Sequence, residues 1–388
     1  MTGTEEAAMW RIPLADVRPD SEVLDAVAEV VSSGWWSMGP RVAAFEAAFA
    51  SLCGTSDALA VANGTAALQL ALAAIGCGPG DEVVLPSLNF VAAANAVAVA
   101  GATPVFCDVV GERDLNLDPV DLESKLGPRT KAVIVLHYGG HPCDMDAVLD
   151  ACRRRDIRVV EDAAHAIAAT YRGRPAGSLG DVGCFSLFSN KNLPVGEGGV
   201  VVTSDDELAS RLRLLRSHGM TTLTWDRHRG HADTYDVVMP GFNFRMDEIR
   251  AAIGSAELRR LAEWNERRAH LVSKYRAELD GRFGVGIAMP EQPEIASAHH
   301  LAVAVFASAE ARAAAAAALK ERRIQTSVHY PPIHLFSAYR RAGLTLPRTE
   351  EVAPRLLTLP LYPHMPDDAV TAVADAIAAA ETASASGG

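Results

Sequence analysis

The stretch GCFSLFSNKNLPVGEGG, Gly183 to Gly199, decides how this chain is read. An apolar run closes on a small polar loop, and glycines then open a second apolar run. The loop holds Lys191, one of only five lysines among 36 Lys plus Arg residues. Arginine serves nearly every other cationic position, so a lysine here asks for chemistry that arginine cannot supply. A side-chain amine can lose its proton and attack a carbonyl; a guanidinium cannot. The bland alternative is an exposed loop lysine, and the scarcity of lysines weighs against it.

Outward from this loop, short strand-like runs alternate with helical patterns: EVVLP (82–86), PVFCDVV (104–110), KAVIVLH (131–137), IRVVEDA (157–163), VGCFSLF (182–188) and GVVVT (199–203). Most are continuously apolar, as strands buried on both faces are, and the alternation predicts a parallel α/β sheet. TAALQLALAAIG, VAAANAVAVAG and DMDAVLDACRRR read as the intervening helices. From residue 246 to 280 the spacing predicts one long connecting helix. HLAVAVFA, AEARAAAAAALKER and IQTSVHY then predict a strand–helix–strand unit. The resulting division is a large domain over 1–250 and a small C-terminal domain over 251–388, with the tail ETASASGG disordered.

Composition bounds the function. The 388 residues are 49% hydrophobic and 22% charged, ordinary for a globular protein. A net charge of −12 argues against non-specific nucleic-acid binding. The six cysteines lack CxxC or CxxH spacing, so metal ligation is unsupported, and His329 with His334 lacks a third ligand at suitable spacing. MTGTEEAAMW does not read as a secretory leader and no apolar run is long enough for a membrane span, so a cytoplasmic location is expected.

Three further segments carry candidate chemistry. Asn63-Gly64-Thr65 precedes a helix, where backbone N–H groups and the Thr65 hydroxyl can face an anion; a plain helix cap is the bland reading. In VVEDAAHA, Asp162 ends a buried strand and His165 follows it, at the sheet edge where ligands bind. The alternative there is a capping aspartate with a packed histidine. Glu161 is predicted to point to the opposite side from Asp162. Ser186 and Lys191 place a hydroxyl and an amine five positions apart. Phosphate-binding amides, an acidic partner for a ring nitrogen and a Schiff-base lysine together describe a pyridoxal 5'-phosphate site.

ANGTAAL, PSLNFVAAANAV, VEDAAHA, CFSLFSNKNLPVGEGGVVVT, GFNFRMDEIRAAIG and VHYPPIH give the chain a family likeness. It resembles, over almost its whole length, the DegT/DnrJ/EryC1/StrS sugar aminotransferases among the fold type I pyridoxal phosphate enzymes. The resemblance implies an α/β fold with a mostly parallel seven-stranded sheet between helices in the large domain. By the same resemblance, Gly64, Thr65 and Ser186 hold the cofactor phosphate and Phe90 stacks on its ring. Asp162 binds the ring nitrogen, His165 lies near the ring oxygen, and Lys191 is the Schiff-base lysine. Asn243 reaches the phosphate of the neighbouring subunit of a homodimer. His329 sits at the pocket mouth with Tyr330, and Trp35, Trp36 and the segment 220–235 are the loops expected to set pocket shape. The His- and Arg-rich segment 220–235 reads either as a diphosphate contact or as a solvated surface loop.

The retained lysine favours transamination, since relatives with histidine in its place are dehydratases. The implied reaction moves an amino group from L-glutamate to a keto group of a nucleotide-linked deoxysugar, dTDP or UDP. A transaminase of a cyclitol or other secondary-metabolite ketone stays open, as does a non-catalytic cofactor-binding regulator. The triplet Phe188-Ser189-Asn190 departs from the pattern usual before the lysine, as does LHYGGHPCDMDAV in its own region. Both departures bear on substrate identity.

Overall fold

The computed structural model describes residues 10–222, 225 and 234–386. Seven strands form the central sheet: Asp57–Val61 (β1), Glu82–Pro86 (β2), Thr103–Cys107 (β3), Thr130–Leu136 (β4), Arg158–Asp162 (β5), Val182–Ser186 (β6) and Gly199–Thr203 (β7). Their spatial order is β1-β7-β6-β5-β4-β2-β3. β7 is antiparallel to both its neighbours and every other pairing is parallel. Six of these strands fall on the predicted runs. β1 (DALAV) lies outside them, because two of its five residues are alanine, a poor strand former.

Both faces of the sheet are covered, which is why its strands read as unbroken apolar runs. Val83, Leu85, Ile134, Val160 and Val201 pack on one side against the helices Gly64–Ile75 and Ala92–Val99. Their neighbours Val84, Val133, Val135 and Val159 pack on the other side, with Val148 and Leu149 of the helix Met145–Arg153. Val200 and Val202 join Phe45, Phe49 and Phe185; the rings of Phe49 and Phe185 meet edge to face at 5.0 Å. Adjacent residues thus serve different cores, the period of two that a pleated strand imposes.

The predicted long helix is two helices, Glu248–Leu258 and Leu261–Leu279. The helix is interrupted at Arg259–Arg260; Leu261 still packs with the core of the first half, and the residues from Leu271 on pack in another. In the first, Ala251 is buried with Phe45, and a Cβ on Gly254 would come within 2.8 Å of the Phe45 ring. In the second, Leu271, Val272, Tyr275 and Leu279 pack with Phe306, Leu357 and Ile12. Arg260 Nη1 pairs with Asp20 at 2.9 Å at the break.

The C-terminal part of the chain carries an antiparallel sheet of Val285–Ile287, Ala302–Phe306 and Leu356–Leu359, in that order, with the alanine-rich helix Ala309–Glu321 beside it. IQTSVHY is not a strand of it. Ser327 makes a single bridge to Thr358, and Ile324 another to Ile12. Pinned between two segments and followed by Pro331-Pro332, which donate no N–H, it cannot extend a ladder. The last helix runs Asp367–Ser386, into the segment predicted to be disordered. Among the described residues, no helix is long and apolar enough to cross a membrane.

Candidate active site

The site is built at the carboxyl edge of the sheet. Asn63 is extended (φ −168°) and its Oδ1 accepts the Ala66 N–H at 2.8 Å, which starts the helix Gly64–Ile75. That leaves the first amides of the helix facing the end of β6. The approach is close enough to require glycine: a Cβ on Gly64 would lie 2.8 Å from Ser186 Cβ, and one on Gly199 2.6 Å from the Asn63 carbonyl. The glycines flanking the Lys191 loop therefore bring the start of β7 against the helix entry.

Asp162 ends β5 in register with Cys184 of β6 and is only 6% exposed. Its Oδ1 accepts the Ala164 N–H at 3.3 Å. Burial raises its carboxyl above the usual range, while the Ala164 amide, Lys191 and Asn89 pull it down. Glu161 faces the other way, as the alternation predicts, accepting from the amides of Gly177, Leu179 and Gly180. Lys191 N donates to Phe188 O at 2.8 Å, turning the loop back so that the amine enters the site. Burial lowers the lysine to about 8, against an opposing pull from Asp162.

Lys191 and Asp162 line one cavity of about 440 Å³ together with Gly64, Thr65, Phe90, His165, Ser186, His329 and Tyr330. Residues spread over more than 260 positions are thereby brought together. Gly139 N–H donates to His165 Nδ1 at 3.3 Å, so the His165 proton sits on Nε2, which donates to Tyr330 OH at 2.9 Å. Burial, Lys191 and His329 hold His165 well below an ordinary histidine, hence neutral. The Tyr330 ring lies 5.8 Å from that of Phe90. His329 Nδ1 meets Thr358 Oγ1 at 2.9 Å and its carbonyl accepts from Tyr138 OH.

Trp35, Trp36 and Asn243 do not line this cavity; Asn243 is the residue expected at the neighbouring subunit's phosphate. Trp36 is 55% exposed, with Nε1 donating to Val31 O at 3.3 Å, and does not line the cavity. Asn243 bridges to Ser217 and is likewise outside it. Within the segment 220–235, predicted to shape the pocket, residues 223–224 and 226–233 lie outside the described residues. Phe188 and Asn190, from the unusual triplet before the lysine, do line the cavity. Missed from the sequence were Asn89, on its wall, and His300, whose Nε2 is 3.4 Å from Lys191 Nζ. The only signal for His300 was its position at the entry of the predicted strand HLAVAVFA.

This donor set fits pyridoxal 5'-phosphate. The cradle at Gly64 leaves backbone N–H groups and two hydroxyls, those of Thr65 and Ser186, at one end for a phosphate. A buried carboxyl whose charged form is disfavoured waits for a cation such as a ring N–H, and an amine of lowered pKa suits a carbonyl.

Comparison with known proteins agrees. The profile of the DegT/DnrJ/EryC1/StrS aminotransferase family matches residues 18–378. A dTDP-4-dehydro-2,3,6-trideoxy-D-glucose 4-aminotransferase of Saccharopolyspora spinosa is 40% identical over 92% of this chain and 93% of its own. A GDP-perosamine synthase of Caulobacter vibrioides is 46% identical over 72% of this chain and 73% of its own. The crystal structure of the aminotransferase TlmJ from Streptoalloteichus hindustanus superposes with a TM-score of 0.90 at 40% identity, covering 96% of this chain and 99% of that one.

Proposed function

Because the chain belongs to the DegT/DnrJ/EryC1/StrS aminotransferase family, whose members depend on pyridoxal phosphate, we propose that it aminates a keto group of a nucleotide-linked deoxysugar with L-glutamate as donor. The observation that carries the reading is Lys191, with a pKa near 8, sharing one cavity with buried Asp162 beside the Gly64–Ser186 cradle. The dTDP-linked substrate in the name of the Saccharopolyspora relative supports a dTDP sugar; the Caulobacter name makes GDP the next nucleotide to try.

When bound, pyridoxal phosphate supplies a carbonyl for the amine and a ring that takes up the electron pair of a carbon losing its proton. Asp162 keeps the ring nitrogen protonated by offering it a carboxylate that water does not screen. Lys191 Nζ takes the proton from the donor's α-carbon and later returns one to the carbon that receives the amine. With a pKa near 8, roughly a tenth of the amine is free at pH 7 and half at pH 8, so it serves as base and acid in turn. Gly64, Thr65 and Ser186 would hold the phosphate end. His165, neutral and locked on Tyr330, would face the ring oxygen. Phe90 and Tyr330 offer apolar walls, with His329 at the mouth. The site is shared in a homodimer, with Asn243 serving the partner's site rather than its own.

The test mixes purified, cofactor-loaded protein with L-glutamate and follows the loss of the lysine-bound cofactor absorbance. Keto sugars linked to dTDP, UDP and GDP, and ketocyclitols, are then offered as amine acceptors. Turnover with a nucleotide sugar supports the proposal. Turnover with ketocyclitols alone, or cofactor binding without any turnover, rejects it.

A further inference from the structure

We infer that His300 is a positioning residue for Lys191: it ends a one-way chain of hydrogen bonds with an imidazole lone pair aimed at the lysine amine. The inference rests on the aminotransferase reading for its purpose, but its geometry stands by itself. Asn265 Nδ2 donates to the Ile167 carbonyl at 3.1 Å, which turns the Asn265 oxygen the other way. Asn192 Nδ2 donates to that Asn265 Oδ1 at 2.8 Å and to the Ala298 carbonyl at 2.7 Å, so Asn192 Oδ1 is an acceptor. The His300 Nδ1–H donates to it at 3.0 Å, and Nε2, left without a proton, stands 3.4 Å from Lys191 Nζ. Each amide orientation is dictated by the member before it, starting from a backbone carbonyl that can only accept.

The surroundings keep this polarity. His300 is 4% exposed, and its ring lies 4.6 Å from that of His165. Burial first, then Lys191, His165, Arg268 and His329, hold it far below an ordinary histidine, so Nε2 remains a lone pair. Arg268 is itself buried and held by the Leu361 carbonyl at 3.0 Å. Lys191 also faces Asp162, His165 and His329. Among these groups, His300 Nε2 stands at hydrogen-bond distance from the amine.

The consequence concerns the proton that Lys191 carries. When Nζ takes a proton from carbon it becomes an ammonium, which the Nε2 lone pair holds by a charge-assisted hydrogen bond without accepting the proton. The proton stays on Nζ until it returns to carbon. A lone pair here binds the ammonium better than the amine, so it offsets part of the burial that lowers the lysine.

The test reads the lysine directly. Full-length protein freed of cofactor is labelled with acetic anhydride across a pH series, and the Lys191 peptide is quantified by mass spectrometry. Wild type is expected to reach half-maximal labelling near pH 8. His300→Phe keeps the ring and removes both nitrogens; its midpoint should fall by about one pH unit, a tenfold change in ammonium stability. His300→Gln, with an amide oxygen near the Nε2 position, should recover at least half of that shift. An unchanged midpoint overturns the inference. So does a rise toward an ordinary lysine, which is what a purely structural His300 would cause by letting water in. If His300→Phe does not fold, Asn192→Leu removes the acceptor for Nδ1–H, and the same fall is expected and the same outcomes overturn. Failure of the aminotransferase reading would show separately, as wild-type protein whose cofactor absorbance ignores amino acids.

Discussion

Glu161 Oε2 lies 2.8 Å from His137 Nε2, and both side chains are completely buried directly beneath the active-site edge of the sheet. Cys143 N–H donates to His137 Nδ1 at 3.2 Å, so Nε2 carries the proton toward the carboxylate. With the amides of Gly177, Leu179 and Gly180 also donating to it, Glu161 ties the loop before β6 to β4 and β5. Glu161→Ala strands four donors in the interior. Its urea unfolding midpoint should drop by the equivalent of about 3–5 kcal/mol.

Asp162, the next residue, should behave in the opposite way. Its folded pKa is raised by burial, so ionising it above the unfolded carboxylate value costs stability rather than adding it. Asp162→Asn in cofactor-free protein should therefore unfold at the same or a higher urea concentration at pH 7. Turnover should nevertheless fall ~100- to 1,000-fold, because the ring nitrogen loses its anionic partner.

Lys191 gives a pH signature. Its folded pKa of about 8 lies below that of an unfolded lysine, so between pH 8 and about 10.4 the unfolded chain binds the extra proton and stability from this group rises with pH. Below pH 8 the burial penalty is complete. Lys191→Met should then stabilise cofactor-free protein by about 1–2 kcal/mol at pH 7, with the gain vanishing near pH 10.5. Chemical denaturation at the two pH values checks this. The same variant should show no amino transfer.

Gly64 tests the cradle. A methyl group there would sit 2.8 Å from Ser186 Cβ, so Gly64→Ala must push the helix entry off β6. A loss of about 1–3 kcal/mol is expected. The affinity for pyridoxal phosphate, measured by fluorescence titration, should weaken by more than in Ser186→Ala. The serine variant deletes one hydroxyl without moving the backbone.

Much of the site was legible because its signals are local. An amine in a loop, a helix entry at Asn63-Gly64-Thr65 and a carboxylate at a strand end are short-range patterns, and their order along the chain already implied one sheet edge. The alternation within β5 likewise puts Glu161 and Asp162 on opposite faces of the sheet. Other features had no local mark. The break at Arg259–Arg260 falls inside an unbroken helical pattern, with neither a proline nor a glycine at those positions to mark it. IQTSVHY has strand composition, yet its neighbours leave it only isolated bridges.

The sequence by itself therefore determined the α/β class, the buried strands and the residues equipped for the chemistry, since periodicity and residue type act over a few positions. Tertiary structure alone decided which distant groups meet them. His300 lies 109 residues from Lys191, and Asn265 lies 73 from Asn192. Their hydrogen bonds follow from packing between segments far apart in the chain, a relation that no local pattern encodes.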